Sequence, residues 1–221
     1  MRKIIAAINM TLDGFCDHTA VSPDEAVHDY YGELLKNAGT ALYGRKTYLL
    51  MEFWKGLAEH PSGEKSMDDF AMNMDAIPKI VFSRTLQSVD WKSAKVASRD
   101  LEAETLALRE EDGGDILVCS RSLIIALINL GLVDEFQLMV HPVVARKGLP
   151  LFDELVDGVV LELIKTHTFA SGAVRLYYSP LSNNSRTERI FSSRISVLML
   201  RKTYMIHLTR CSVLLADVAL Y

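Results

Sequence analysis

The sequence predicts an α/β protein with a mostly parallel central sheet, helices on both faces of the sheet and an antiparallel hairpin at the carboxyl end. Two observations predict this class. Short runs rich in β-branched residues alternate with longer segments of helical periodicity, which is typical of parallel sheets. The last two apolar runs are joined only by Ala170-Ser171-Gly172, and so short a connection is typical of an antiparallel hairpin.

The composition of the 221 residues narrows the class of protein. Hydrophobic residues make up 49% and charged residues 24%, as in globular proteins. The net charge of −4 gives no electrostatic basis for nucleic acid as the main partner. The 3 cysteines are widely spaced without a metal-ligand pattern, and no apolar stretch reaches the length of a membrane span. We therefore expect a cytoplasmic protein with no metal site and no membrane partner.

The first half of the chain alternates strands and helices. An unbroken apolar run over 4–8 predicts a central strand, and not a signal peptide, because the run is short and Asp13 follows early. Ser22-Pro23-Asp24-Glu25 predicts a helix start with a cap, a first-position proline and acids, and this helix extends to about Ala38. The other predicted elements are a strand over 40–43, a helix after Gly44 through Phe53, a possible helix over 67–74 and a strand over 79–83.

The second half repeats this alternation and then adds the hairpin. The predicted elements are a brief strand over 94–97, an amphipathic helix over 100–111, a strand over 115–119, a helix over 123–130 ended by Gly131, a strand over 133–140, and hairpin strands over 159–168 and 173–179. Ligands of open α/β sheets bind at the carboxyl ends of the strands. We therefore expect the loops 9–16, 44–47, 83–86 and 119–122 to meet around a ligand.

The segment from Gly113 to Asp134 combines a Gly-Gly turn, a short strand, a polar break and a helix. The polar break, Ser120-Arg121-Ser122, precedes the helix, where backbone N–H groups and the helix dipole favour an anion. Two interpretations stay open from these residues alone: a phosphate cradle, or an ordinary strand-to-helix connection capped by Ser120 or Ser122. The segment is neither a G-x-G-x-x-G fingerprint nor a P-loop.

Several stretches, in their order and spacing, resemble the dihydrofolate reductase superfamily over roughly residues 2–180. They are NMTLDGF, YGRKTY, KIVFSRTL, GGDILVCSRSL, GLVDEFQLMVHPVVARKGLPLF and FASGAVRLYYSP. The branch they resemble is the reductase (C-terminal) domain of bacterial bifunctional riboflavin-biosynthesis deaminase-reductases and its free-standing relatives. The resemblance implies a dihydrofolate reductase-like fold. It also implies NADPH-dependent reduction of a pteridine, a riboflavin-pathway pyrimidine or a related heterocycle, as in a 5-amino-6-(5-phosphoribosylamino)uracil reductase.

The resemblance also implies which residues bind NADPH. The phosphate-contacting turn of the family matches Gly44, Arg45, Lys46 and Thr47. The loop near the adenosine ribose matches Ser83, Arg84 and Thr85, where an arginine suits the 2′-phosphate. The pyrophosphate turn matches Cys119, Ser120, Arg121 and Ser122. A solvated helix start and a polar surface loop are the alternatives for the first two sets.

The catalytic residues implied by the resemblance are Asp13 and Asp29. Asp13 falls on the loop that covers the nicotinamide, and the alternative is a turn residue before a glycine. Asp29, with His28 beside it, matches the helical position of the carboxylate in folate reductases. Surface positions for both residues, with water as the proton donor, are the alternative. This chain departs from its relatives in having Cys119 for a usual glycine and Arg146 near another.

Residues 181–221 match nothing in the family. They contain six basic and two acidic residues, whereas the body of the chain is acidic. We expect a reductase domain over 1–180 followed by a non-native or disordered tail, with a basic amphipathic extension as the alternative. The expected partners are a small heterocyclic substrate and a second copy in a homodimer. A non-catalytic nucleotide-binding or interaction protein on the same fold is the alternative function.

Overall fold

A computed structural model of the chain describes residues 1–21 and 23–181. One sheet of eight strands has the order β4-β3-β2-β5-β1-β6-β8-β7. The strands are β1 (Ile4–Thr11), β2 (Thr40–Gly44), β3 (Lys79–Phe82), β4 (Ala94–Val96), β5 (Ile116–Val118), β6 (Glu135–His141), β7 (Leu161–Thr168) and β8 (Val174–Pro180). The helices are α1 (Glu25–Asn37), α2 (Arg45–Glu59), α3 (Lys65–Ala76), α4 (Leu101–Glu110) and α5 (Arg121–Asn129).

The pairing of the strands confirms the predicted fold class. The pairs among β1 to β6 are all parallel, whereas β8 runs antiparallel to both β6 and β7. The hairpin of β7 and β8 therefore adds antiparallel strands at one edge of an otherwise parallel sheet. Every predicted strand and helix is present in the described residues. Most ends differ by one to three positions, whereas α2 extends to Glu59, six residues beyond the predicted end at Phe53.

Two hydrophobic cores cover the two faces of the sheet. Successive side chains of β1 point to opposite faces of the sheet, so Ile4 and Ala6 lie in the core that α4 and α5 cover. Ile5 and Ala7 lie in the core that α1, α2 and α3 cover. We call these the α5 face and the α1 face. Because both faces are buried, the central strands are continuously apolar, which is the pattern that identified them in the sequence.

The connections that follow β1 and β5 diverge at the carboxyl ends of these two strands. These strands are parallel neighbours, with Ala6 beside Val118. The chain leaves β1 toward α1 on one face and leaves β5 toward α5 on the other. Because the two connections diverge, the carboxyl edge between these strands is the place where a sheet of this kind binds its ligand.

The opposite edge is closed by two glycines that pack backbone against backbone. A Cβ on Gly39 would lie 2.6 Å from the carbonyl oxygen of Gly114, and a Cβ on Gly114 would lie 2.8 Å from the nitrogen of Gly39. No side chain fits at either position without moving backbone. This contact brings the starts of β2 and β5 together, and the Gly-Gly turn of the sequence is therefore a packing requirement.

The start of α1 differs from its prediction. The N-cap is Asp24, whose carboxylate accepts a hydrogen bond from the N–H of Val27, so Pro23 precedes the cap and does not occupy the first helical position. Ser22 lies outside the described residues, as does the predicted tail from residue 182 onward. Within the described part of the chain, none of the helices combines the length and apolar character that crossing a bilayer requires.

Candidate active site

The structure brings the predicted cofactor turns to one edge of the sheet. Strands β3, β2, β5 and β1 are consecutive in the sheet, and the four run parallel. Their carboxyl ends lead into the turns 83–85, 44–47, 119–122 and 12–14, respectively. Adjacent strands are about 4.8 Å apart, so the four turns lie side by side over about 15 Å of the sheet edge.

The turns after β2 and β5 are in direct contact. The hydroxyl of Ser120 accepts a hydrogen bond of 2.8 Å from the backbone N–H of Gly44, and Ser120 is buried. A Cβ added to Gly44 would lie 3.3 Å from Oγ of Ser122. The φ of Gly44 is −77°, a conformation that any residue can adopt, so backbone freedom does not explain the glycine. The glycine instead provides the space that lets the two turns approach each other closely. This hydrogen bond fixes the position of one helix start relative to the other.

Both helices that begin at this contact lack a side-chain cap. The N-cap of α2 is Gly44 and that of α5 is Ser120, and neither residue makes a side-chain hydrogen bond to the first turn. Neither first turn contains an acidic residue, in contrast to α1 and α4, which have aspartate caps and acidic first turns. Two positive helix ends therefore point to the same edge with N–H groups available to an anion.

Exposed cations surround these helix starts. Arg45 and Lys46 are exposed in the first turn of α2, and Thr47 is half-buried behind them. Arg84 is exposed in the neighbouring turn. Within the described part of the chain, none of these three cations forms an ion pair. Their charges are therefore available to a phosphorylated ligand.

The turn that carries Arg84 is shaped by the preceding serine. The hydroxyl of Ser83 accepts hydrogen bonds from the N–H groups of Thr85 and Leu86, at 3.1 Å and 2.9 Å. These bonds make a compact serine turn. Ser83 and Thr85 therefore shape the loop, and Arg84 is the member of this set whose charge faces solvent.

The guanidinium of Arg121 has partners within the protein. It donates hydrogen bonds to the carbonyl oxygen of Pro150 and to the carboxylates of Asp153 and Glu154, the last at 3.0 Å. These bonds tie the start of α5 to the loop after β6. Because two carboxylates occupy its donors, Arg121 contributes its backbone N–H to the predicted pyrophosphate turn more readily than its charge.

Cys119, which replaces a glycine of the resembling proteins, packs against the core of the α1 face. Burial raises the pKa of its thiol to about 12, so the group is a neutral thiol at physiological pH. The side chain therefore adds bulk on the α1 face, beneath the edge where the turns meet.

The carboxylate of Asp13 connects two loops. It accepts hydrogen bonds from the hydroxyl of Thr11 at 2.6 Å and from the N–H groups of Ala145 and Arg146 at 3.0 Å and 2.8 Å. The Thr11 bond, followed by the two backbone donors, lowers the pKa of Asp13 to about 2. Asp13 is therefore ionised and acts as an acceptor, which favours a positioning role over proton donation.

Asp29, the second predicted catalytic carboxylate, lies in the first half of α1. It is exposed on α1, close enough to Lys65 at the start of α3 to raise the pKa of that lysine, although Asp69 is the larger cause. His28 is half-buried between Trp54 and Phe70, with ring centroids 5.8 Å and 5.9 Å away, and burial lowers its pKa. The catalytic role of Asp29 stays a prediction.

A group of polar residues on the α1 face was missed in the sequence. Nε2 of His141, at the end of β6, lies 2.9 Å from Oδ1 of Asn9 on β1. Burial lowers the pKa of His141, an effect that Asp24 opposes. Further along the same face lie Gln137 and Arg175, both buried. The available signal was polar residues at alternate positions of strands that are otherwise apolar.

The fold and this edge define the class of the protein, which is a dihydrofolate reductase-like α/β protein. Residues 2–175 match the model of the RibD C-terminal domain. The chain belongs to the RibD C-terminal domain family.

Relatives and solved structures agree with this assignment. The chain is 36% identical over 181 residues to protein YyaP of Bacillus subtilis (strain 168), covering 80% of this chain and 94% of that protein. RibD of Acinetobacter baumannii has a similar fold, with a TM-score of 0.62 at 14% identity over 82% of this chain and 59% of that chain.

A third similar protein is the Thermotoga maritima diaminohydroxyphosphoribosylaminopyrimidine deaminase/5-amino-6-(5-phosphoribosylamino)uracil reductase. Its TM-score is 0.57 at 18% identity, over 81% of this chain and 57% of that chain. The chain therefore spans a little over half of these two larger proteins, and at such low identity the likeness shows the fold.

Proposed function

We propose that the protein is an NADPH-dependent reductase of a heterocyclic substrate, either a riboflavin-pathway pyrimidine, a pteridine or a related ring. The observation that carries this proposal is the pair of uncapped helix starts joined by the bond between Gly44 and Ser120. Two positive helix ends fixed side by side, with unpaired cations around them, suit a ligand that has several phosphates.

The residues present fit this cofactor by charge and by space. The N–H groups after Gly44 and Ser120 face the edge, and the absence of a side chain at Gly44 lets a phosphate approach the backbone closely. Arg45, Lys46 and Arg84 would neutralise phosphate charge, with Arg84 placed for a 2′-phosphate. When bound, NADPH supplies a hydride, and the protein binds and orients the two reactants.

Reduction adds one hydride and one proton to the substrate, so a proton source is required. Asp13 has too low a pKa to supply a proton near neutral pH. Asp29 stays a candidate that would need access from the solvent side of α1. Water at the open carboxyl edge is the source that requires no movement of the protein.

A non-catalytic nucleotide-binding protein is the second candidate. It is favoured by one observation, namely that the low pKa of Asp13 leaves this carboxylate without a proton to donate near neutral pH. The fold alone does not decide between turnover and binding. For the reductase we also predict a homodimer and a cytoplasmic location.

A turnover assay tests the proposal. We expect NADPH absorbance to fall when protein is mixed with NADPH and one member of a panel of aminouracils and pteridines. Lys46→Gln should slow this reaction, whereas Lys36→Gln, an exposed lysine at the far end of α1, should leave the rate unchanged. NADPH binding with no turnover across the panel would favour the binding protein instead.

A further inference from the structure

A buried arginine on the α1 face lies just inside the candidate active-site edge. Arg175 of β8 pairs with Met139 of β6, which pairs in turn with Asn9 of β1. Met139 is two residues from the end of β6, so Arg175 lies about 7 Å from the carboxyl edge. The side chain of Arg175 is fully buried.

The guanidinium of Arg175 is only partly satisfied. Nη2 donates a hydrogen bond of 2.6 Å to Oε1 of Gln137. Nε and Nη1 are buried and have no hydrogen-bond partner in the described part of the chain. No carboxylate forms an ion pair with Arg175 within the same residues. Two donors of a buried positive charge are therefore available.

Tyrosine rings surround this charge. The guanidinium carbon lies 3.7 Å from the ring centroid of Tyr30, 5.1 Å from that of Tyr31 and 5.5 Å from that of Tyr177. Such cation–π contacts hold a guanidinium but leave its in-plane N–H donors free. The hydroxyls of Tyr177 and Tyr30 are linked at 2.8 Å, and that of Tyr30 donates to Gln137 at 3.0 Å. This network fixes the arginine in place.

The hydroxyl of Tyr31 is the third available donor. Its O–H is buried and has no acceptor in the described residues, and the guanidinium of Arg175 lies beside its oxygen. Burial raises the pKa of Tyr31, and the nearby charge of Arg175 opposes that rise, so the group keeps its proton. Two different side chains therefore present unused donors on the same face. A buried charge without an ionic partner is costly, so packing alone does not account for Arg175.

We propose that Arg175 and Tyr31 recognise a carbonyl oxygen, or the corresponding enolate, of a planar heterocyclic substrate. The donors match an acceptor, the charge favours an enolate, and the aromatic rings suit a flat ligand. This inference rests on the proposed reductase function, because it names the substrate class of that site. A ring with oxo groups binds, and a ring with amino groups in the same positions does not.

The test compares two ring probes that differ in these groups. 5-Aminouracil presents ring carbonyls, whereas 2,4,5-triaminopyrimidine presents amino groups in their place. Ligand binding is measured by NMR titration with and without saturating NADPH. We expect the wild-type protein to bind 5-aminouracil at least tenfold more tightly than 2,4,5-triaminopyrimidine. Arg175→Met should remove this preference, and Tyr31→Phe should reduce it severalfold.

The controls separate recognition from folding. Tyr178→Phe changes a tyrosine of the α5 face and should leave the preference intact. If Arg175→Met does not fold, Tyr31→Phe decides, because that change removes a single hydroxyl and keeps the ring. Equal binding of both rings by the wild-type protein, binding of neither, or an unchanged preference in a folded Arg175→Met or Tyr31→Phe variant would overturn the inference.

Failure of the inference is distinguishable from failure of the reductase proposal. The affinity for NADPH, measured separately by calorimetry, should be unchanged in Arg175→Met, because the predicted cofactor turns lie at the edge and not on this face. A protein that does not bind NADPH but prefers 5-aminouracil through Arg175 would disprove the reductase and support the recognition site. A protein that binds NADPH, and whose ring preference does not depend on Arg175, would disprove the recognition site and leave the reductase proposal standing.

Discussion

At the scale of single residues, one position has an unusual backbone conformation. Arg146 has a φ of 67°, and within the described part of the chain it is the one non-glycine residue with a positive φ. The resemblance placed a glycine of the related proteins near this position, and the structure gives the physical reason. A left-handed backbone costs a residue with a Cβ about 1–2 kcal/mol. The N–H of Arg146, which donates to Asp13, helps to hold the conformation.

Arg146→Gly should stabilise the protein by up to about 1 kcal/mol, because the strain that it relieves exceeds the entropy that a glycine adds to the unfolded chain. The N–H donor to Asp13 is retained. Urea unfolding measures the change. The matched control is Lys147→Gly at the next position, where φ is not positive. That control should destabilise, and a loss of stability in both variants would contradict the strain at Arg146.

Asp13→Asn should lower the melting temperature at neutral pH, because an amide accepts the bonds from Thr11, Ala145 and Arg146 less well than a carboxylate. The pKa of Asp13 is about 2 in the folded protein and is higher in the unfolded chain. Its stabilisation is thus present above about pH 4 and is lost as the pH falls toward 2. The melting temperatures of the two proteins should converge over that range, and a constant difference would contradict this role.

At the scale of elements, the candidate site consists of connections between neighbouring strands. Periodicity and turn residues were enough to predict each strand, each helix and the edge where their loops meet. They did not show that the Ser120 hydroxyl accepts from Gly44, or that Arg121 pairs with Asp153. Those contacts join residues more than thirty positions apart in sequence or lie across strands, so local patterns contain no record of them.

Ser120→Ala should destabilise the protein by about 1–3 kcal/mol, because it leaves the buried N–H of Gly44 without an acceptor. Cofactor binding should weaken as well, since the two helix starts lose their fixed separation. Denaturant unfolding and calorimetric titration measure the two effects. Ser122→Ala is the control, because Ser122 is exposed, and its stability should change by less than about 0.5 kcal/mol. Equal losses of stability from the two substitutions would contradict a specific role for the hydrogen bond between Ser120 and Gly44.

At the scale of the whole molecule, the hairpin makes β7 the last strand at one edge of the sheet. Within the described residues β7 pairs only with β8, and Leu163 and Ile164 are each 52% exposed. An open apolar edge strand is a template for pairing with another strand. The predicted homodimer has its best physical support here. The fold class was predictable because it depends on the order of elements, whereas the assembly depends on a surface that the sequence pattern does not distinguish from an ordinary edge.

Ile164→Lys should convert a homodimer into a monomer, because a charge would be buried against the second copy. Sedimentation velocity measures the change. Lys95→Glu on β4, at the opposite edge of the sheet, is the control and should leave the dimer intact. A wild-type monomer, or a dimer unaffected by Ile164→Lys, would contradict pairing through β7.

The most direct test of the account is a calorimetric titration of the wild-type protein, Arg84→Gln and Lys36→Gln with NADPH and NADH at one fixed salt concentration. If the turns after β2, β3 and β5 hold NADPH, the wild-type protein binds NADPH more tightly than NADH. Arg84→Gln then weakens NADPH about tenfold, or about 1.4 kcal/mol, with little effect on NADH, and Lys36→Gln changes neither. Equal affinity for both cofactors, or a preference that Arg84→Gln leaves intact, would contradict the proposed placement of the cofactor.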